Sequence, residues 1–256
     1  MACLDLLGKA VNAPVYRILG GPTRSKIRAY SSPYSQEFPI AVIDVPPPAS
    51  RNQGKAFQNR ILELASAVPA DRDFVLAGTG SLTPGDAASV CRTLESKHPL
   101  WFDEPCPHSN LEALRKVADE TVVPLGFGAG IEDAGVFQAL LREGLVDLVR
   151  PDIGIFGISG ARHIAALAET YYVAVAPRHN GGPVGTAAAI HLAASIPNFF
   201  IQHLPLPTAE EDRAMRRAIV SPALETTGEG GFLKPANAPG LGITVHEAAL
   251  EKYRAA

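Results

Sequence analysis

The chain has 256 residues, 46% hydrophobic and 19% charged, with three cysteines and a formal net charge of −3. Its pI of about 6.2 and mean hydropathy of +0.08 belong to an ordinary globular composition rather than a disordered or fibrous one. No Lys/Arg run is long enough to track a phosphate backbone and no apolar run reaches about 18 residues, so nucleic acid, anionic membrane surfaces and a membrane-spanning helix are set aside. A small neutral or acidic metabolite is the expected partner.

In chain order, the N-terminal stretch carries Asp5 and Lys9 among its apolar residues and so lacks the uninterrupted core of a signal peptide. Strands are expected at 26–30 and 40–45. Only residues 31–39 separate them, too few for a parallel crossover of about a dozen residues or more, so the first βα unit is truncated or rearranged. The next connection, about 46–72, opens with Pro46-Pro47-Pro48 and contains a helical apolar stretch around Phe57, Ile61, Leu62 and Leu64. Strand and amphipathic helix then alternate: 74–76 with 84–97, 100–102 with 109–119, 123–127 with 133–143, 146–149 with 159–170, and 172–176 with 185–195. A last strand is expected at 199–201, followed by a charged helix near 209–218, a Gly- and Pro-rich segment over 228–242, and an irregular extension from about 219.

The residues just past the last six strands are Ala77, Asp103, Ala129, Asp152, Arg178 and His203, spaced 26, 26, 23, 26 and 25 apart. That repeat predicts parallel strands with helices outside. Eight strands at this length give a TIM-like α/β barrel, (β/α)7β or (β/α)8, occupying residues 1–256 as one domain. An open doubly wound sheet is the alternative, but the glycine-rich phosphate fingerprint after its first strand is missing.

Reactive groups in such a barrel sit at the C-terminal strand ends. Those positions carry Asp103 and Glu104, Asp152, Arg178 and His179, and His203. A carboxylate beside an imidazole orients it and raises its basicity, so Asp152 with His179 is the candidate general base. The runs Gly126-Phe127-Gly128-Ala129-Gly130 and Gly181-Gly182-Pro183 are either close approaches to a ligand or tight turns. Cys3, Cys91 and Cys106 are too scattered for a disulfide framework or a metal knuckle, which makes a reducing cytoplasm the expected compartment and Cys106 a packed thiol. Trp101 reads as core, while His98, His108, His163, His191 and His246 lack ligand spacing.

Several segments together resemble the mandelate racemase and acid-sugar dehydratase branch of the enolase superfamily. They include Pro14-Val15-Tyr16-Arg17-Ile18-Leu19-Gly20-Gly21, Trp101-Phe102-Asp103-Glu104-Pro105, Arg150-Pro151-Asp152-Ile153, Pro197-Asn198-Phe199 and Pro239-Gly240-Leu241-Gly242. The resemblance implies three acidic residues on consecutive strand ends holding Mg2+, which stabilises the enediolate formed when a base removes the proton α to a carboxylate. Those positions fall on Ala77, Asp103 and Ala129, which leaves Asp103 as the one candidate ligand and no bound cofactor as the expectation. The lysine base that the resemblance implies on the second strand falls near Ile43 or Val45, and the histidine base aligns with Arg178, one place before His179. Asp152 keeps the position of the supporting aspartate, and His203 replaces an acidic group. The resemblance also implies an N-terminal α+β domain whose loops close over substrate, and the sequence is expected to start after it.

Three functions follow. The leading one is an enzyme-like barrel that binds a small hydroxy acid or sugar acid through Arg178, His179 and His203, with metal-dependent proton abstraction lost or altered. A glycoside hydrolase would use Asp103 or Glu104 with Asp152, which requires a carboxylate separation of roughly 5–9.5 Å. A non-catalytic descendant accounts for the missing ligands and base together. Apolar surface left without a cover domain makes a homo-oligomer the expected state.

Overall fold

The structure is a computed structural model that describes residues 1–47, 54–226 and 229–253. Pro48 of the proline run and Gly228, the first residue of the Gly- and Pro-rich segment, lie outside the described residues. The elements in chain order are α1 (Ala2–Ala10), α2 (Val15–Ile18), β1 (Ile27–Ser31), β2 (Ile40–Asp44), α3 (Gly54–Ser66), β3 (Asp73–Ala77) and α4 (Pro84–Leu94). Next come β4 (Phe102–Asp103), α5 (Leu111–Asp119), β5 (Leu125–Phe127), α6 (Ala134–Arg142), β6 (Leu148–Val149), α7 (Ile153–Thr170), β7 (Ala174–Val175), α8 (Pro183–Ser195) and β8 (Gln202–Leu204). The chain finishes with α9 (Glu210–Ile219), β9 (Val220–Ser221), β10 (Phe232–Leu233), β11 (Thr244–Val245) and α10 (Glu247–Lys252).

Strands β2 to β7 form one parallel sheet in sequence order, and β8 pairs in parallel with β1. The pairs Ala77↔Asp103, Asp103↔Gly126, Phe127↔Val149 and Val149↔Val175 keep the C-terminal strand ends level. Between β7 and β8 the link is a bridge from Val175 to Phe199, with Phe200 N donating to Val175 O at 2.8 Å. Among the described residues no ladder joins β1 to β2, so the TIM-like α/β barrel is not closed by continuous hydrogen bonding. Residues 32–39 cross that gap without a helix, which is the truncated first unit expected from its length.

Alternation along the strands separates two apolar layers. On β3, Phe74 and Leu76 join the large cluster packed against the helices, whereas Val75 joins Tyr30, Ile40, Trp101, Leu148, Ala176 and Ile201 in a second cluster. That second set comes from seven strands or their flanks, so it fills the barrel interior. Helix α8 is buried along nearly its whole length, which suits a segment of small apolar residues. Arg24 donates to Ile196 O at 2.6 Å and Pro197 O at 3.0 Å, placing a cation at that helix's C-terminal end. His191, inside α8, accepts from Tyr16 N at 3.2 Å and stacks on the Tyr16 ring.

Two expectations are corrected, and a third is refined. The last strand lies at Gln202–Leu204 instead of 199–201, because Phe199 and Phe200 already pair with Val175 and the chain reaches β1 only afterwards. Helix α7 begins at Ile153, six residues early: Asp152 caps it by accepting from Gly154 N at 2.7 Å, and the helical path breaks at Gly157, φ +63°. On α3, Phe57 and Ile61 are buried while Leu62 and Leu64 are exposed. Among the described residues no helix is long and apolar enough to cross a membrane.

Candidate functional site

A cavity of about 220 Å³ opens at the C-terminal ends of the strands, lined by Tyr30, Asp103, Glu104, Arg150, Arg178 and His203 together with the methyls of Ala77 and Ala129. Arg150 follows β6 and is 2% exposed. Its Nη1 is ion-paired with Asp103 Oδ2, its Nη2 donates to Tyr30 Oη at 2.5 Å, and its guanidinium lies 5.8 Å from the Trp101 ring centroid. Sequence reasoning gave Arg150 no role. The available signal was an arginine directly after an apolar strand, in a position that the barrel buries.

Arg178 follows β7, held by Ile153 N donating to Arg178 O at 2.9 Å. Its Nη2 donates to Asn180 Oδ1 at 3.2 Å, and its Nε stands 4.0 Å from Asp152 Oδ2. His203 faces Tyr30 across the β1–β8 register, ring centroids 5.3 Å apart. Burial drives the His203 pKa well below its ordinary value, and Arg150 and Arg178 push the same way, so the ring is neutral. Glu104 takes a positive φ of 45°, and its Oε1 accepts from Gly128 N at 2.6 Å and Ala129 N at 2.5 Å. Burial raises its pKa, and the two N–H donors oppose that rise.

Four buried atoms of these side chains have no hydrogen-bond partner: Asp103 Oδ1, Arg150 Nε, Arg178 Nε and His203 Nδ1. Leaving one such group unsatisfied costs about 1–3 kcal/mol, so the barrel keeps this polar cluster at the expense of stability.

Thus Asp103, Glu104, Arg178 and His203 meet at the mouth, whereas the expected Asp152–His179 base pair does not form a hydrogen bond. Asp152 is turned to cap α7. His179 is 1% exposed and packs on the first turn of α8, with Nε2 3.3 Å from Thr186 Oγ1. Thr186 in turn donates to Glu225 Oε1 at 2.6 Å, and Arg216 clamps Glu225 at 2.5 and 2.8 Å. Burial lowers the His179 pKa to about 4. A histidine whose folded pKa lies below its unfolded value of about 6.5 stabilises the fold fully above that value and loses the contribution as pH falls toward the folded pKa. Stability should therefore drop between pH 6.5 and about 4, and His179→Gln should flatten that slope in urea titrations at stepped pH.

The glycine run that begins inside β5 serves packing. A Cβ on Gly126 would sit 2.7 Å from Trp101 Cδ1, and one on Gly128 would sit 2.0 Å from Arg150 O. Gly128→Ala should thus cost about 1–3 kcal/mol in urea unfolding, since backbone cannot yield as a side-chain tip does. Cys106 is buried, and desolvation pushes its thiol up to about 11, the behaviour of a packed thiol.

The donor set does not suit Mg2+, a hard cation needing six oxygens. Two of the three implied ligand positions carry methyl groups, and the third, Asp103, is ion-paired with Arg150. Among the described residues no group of three or more His, Cys, Asp or Glu could hold a metal ion.

Parallel strands with outer helices and a polar mouth at the C-terminal strand ends define a TIM-like α/β barrel. Residues 47–249 match the family model "Enolase C-terminal domain-like". A "D-galactonate dehydratase family member" of Streptomyces bingchenggensis is 30% identical, with 99% of this chain and 71% of that protein covered. Their alignment runs over 302 positions, more than the 256 residues present here, so that relative carries segments with no counterpart in this chain. A mandelate racemase/muconate lactonizing enzyme-like protein from Rubrobacter xylanophilus superposes with a TM-score of 0.86 at 26% identity, over 98% of this chain and 74% of that one. A mandelate racemase/muconate lactonizing enzyme from Sulfitobacter gives 0.81 at 28% identity, over 97% and 69%. The chain belongs to the enolase superfamily, in its acid-sugar dehydratase branch.

Proposed function

We propose that the barrel mouth binds the carboxylate of a small hydroxy acid or sugar acid, and that Arg150 and Arg178 supply there the positive charge for which a metal site is lacking. The observation that carries this reading is the convergence of two arginines, Arg150 buried and Arg178 half-buried, on the cavity that also holds His203. A relative named as a D-galactonate dehydratase family member supports the substrate class. Fixed cations in a dry site stabilise negative charge developing on a bound carboxylate, which makes the adjacent C–H more acidic. His203, a neutral imidazole in the cavity lining, is the group at the mouth proposed to accept that proton. Arg178 cannot act as the base because a guanidinium stays protonated at working pH.

The test is calorimetric titration with a panel of hydroxy acids and aldonates, joined to NMR detection of α-proton exchange in D2O. Binding with exchange that His203→Gln abolishes supports an enzyme of altered mechanism; binding without exchange points to a non-catalytic descendant. A glycosidase reading is weaker, because of the carboxylates it was to use Asp103 is paired with Arg150 and Asp152 caps α7, which leaves Asp44 beside Glu104 in the cavity lining. Release from aryl glycosides would revive it. The three cysteines are free, which suits the reducing cytoplasm proposed for the chain. Leu6, Leu7 and Val11 expose an apolar face in and just after α1, and self-association through such surface should appear in size-exclusion chromatography with light scattering.

A further inference from the structure

Strand β2 delivers to the mouth one charged side chain that the anion site does not use. Its alternate residues divide between the two apolar layers: Ala41, Ile43 and Val45 join the helix-side cluster, whereas Ile40 belongs to the barrel interior and Val42 packs against it. Asp44 keeps the inward parity. It pairs in register with Ala77, and Ala77 with Asp103, so the three stand in one row across β2, β3 and β4, and all three line the mouth cavity.

The charges around that cavity do not pair off. Its lining holds the carboxylates of Asp44, Asp103 and Glu104 against the guanidiniums of Arg150 and Arg178, and His203 is neutral. Asp103 is taken by Arg150, and Arg178 also has Asp152 at 4.0 Å. Asp44 is exposed, and its carboxylate makes no hydrogen bond or ion pair among the described residues. A guest bearing only a carboxylate answers the arginines and sets a second negative charge before Asp44. One that also carries an ammonium answers both.

The two ends are well separated. Asp44 ends the first strand of the six-stranded sheet and Arg178 follows the last, with Tyr30 and His203 of the paired β1 and β8 between them. A guest stretched from Arg178 to Asp44 therefore runs past His203. The cavity is about 220 Å³ against roughly 300–1,000 Å³ for most small-molecule sites, which suits a guest of three or four carbons.

We infer that Asp44 binds an ammonium and that the guest is a zwitterion: a small hydroxy acid whose carboxylate sits at Arg178 and whose far carbon carries an amino group. This rests on the anion-binding reading of the mouth and adds to it a second charge, recognised from the β2 wall.

Calorimetry at pH 7 on the whole chain compares two pairs of acids: glycerate with 3-amino-2-hydroxypropanoate, and 3,4-dihydroxybutanoate with 4-amino-3-hydroxybutanoate. Within each pair the carbon skeleton is the same and an ammonium replaces the terminal hydroxyl. In at least one pair the amino compound should bind at least tenfold tighter, the worth of a charged hydrogen bond. Asp44→Asn, with circular dichroism confirming that it folds, should erase that preference while the hydroxy acid's affinity stays the same or rises. No preference in either pair, or one that survives Asp44→Asn, overturns the inference and leaves the anion site intact. Amino-compound binding that Arg178→Met leaves unchanged overturns the carboxylate end, and failure of all four compounds to bind overturns the anion site itself; the inference falls with either.

Discussion

Arg150→Met should destabilise the chain by about 3–5 kcal/mol, read as a lowered urea midpoint with an unchanged m-value. The size follows from burial: Arg150 is 2% exposed and holds both Asp103 and Tyr30, so its removal leaves a carboxylate inside the barrel without its ion-pair partner. Most of that cost is the abandoned charge rather than the intrinsic worth of the pair. The double variant Asp103→Asn with Arg150→Met should accordingly recover a substantial part of the loss. A single variant as stable as the parent would show that Arg150 does not anchor the mouth.

Arg178→Met should behave in the opposite way. Its guanidinium is more exposed, its Nε is 4.0 Å from Asp152, and its one hydrogen bond goes to a neighbouring side chain, so the fold depends little on it. A charged hydrogen bond to a ligand is worth about 1.5–3 kcal/mol, so carboxylate affinity should fall by roughly 10- to 150-fold. Calorimetry on Arg178→Met beside a thermal melt separates these effects. Unchanged affinity would remove Arg178 from the site.

The barrel was legible because its strand ends recur at a near-constant interval from Ala77 to His203, and no local accident of propensity imitates that over five units. The last strand was misplaced because Phe199-Phe200-Ile201 has the strongest strand composition, although pairing with β1 begins only at Gln202. The site was legible in part. Adjacent residues on an extended segment point to opposite sides, so with Arg178 directed into the mouth, His179 is carried away from it onto α8. Asp103 and Glu104 both reach the cavity region only because Glu104 adopts φ +45°, which composition does not reveal. Arg150 is not legible as a site residue in the sequence, because its burial and its pairing with Asp103 exist only once the fold has formed.

The central claim is that the mouth binds a carboxylate through its own cations. The most direct measurement is gluconate binding to chelator-treated protein by calorimetry, repeated with added Mg2+ and with Arg178→Met. The account predicts the same affinity with and without Mg2+, and a loss of at least tenfold on removing Arg178. Binding that appears only when Mg2+ is added, and that survives the loss of Arg178, would contradict it.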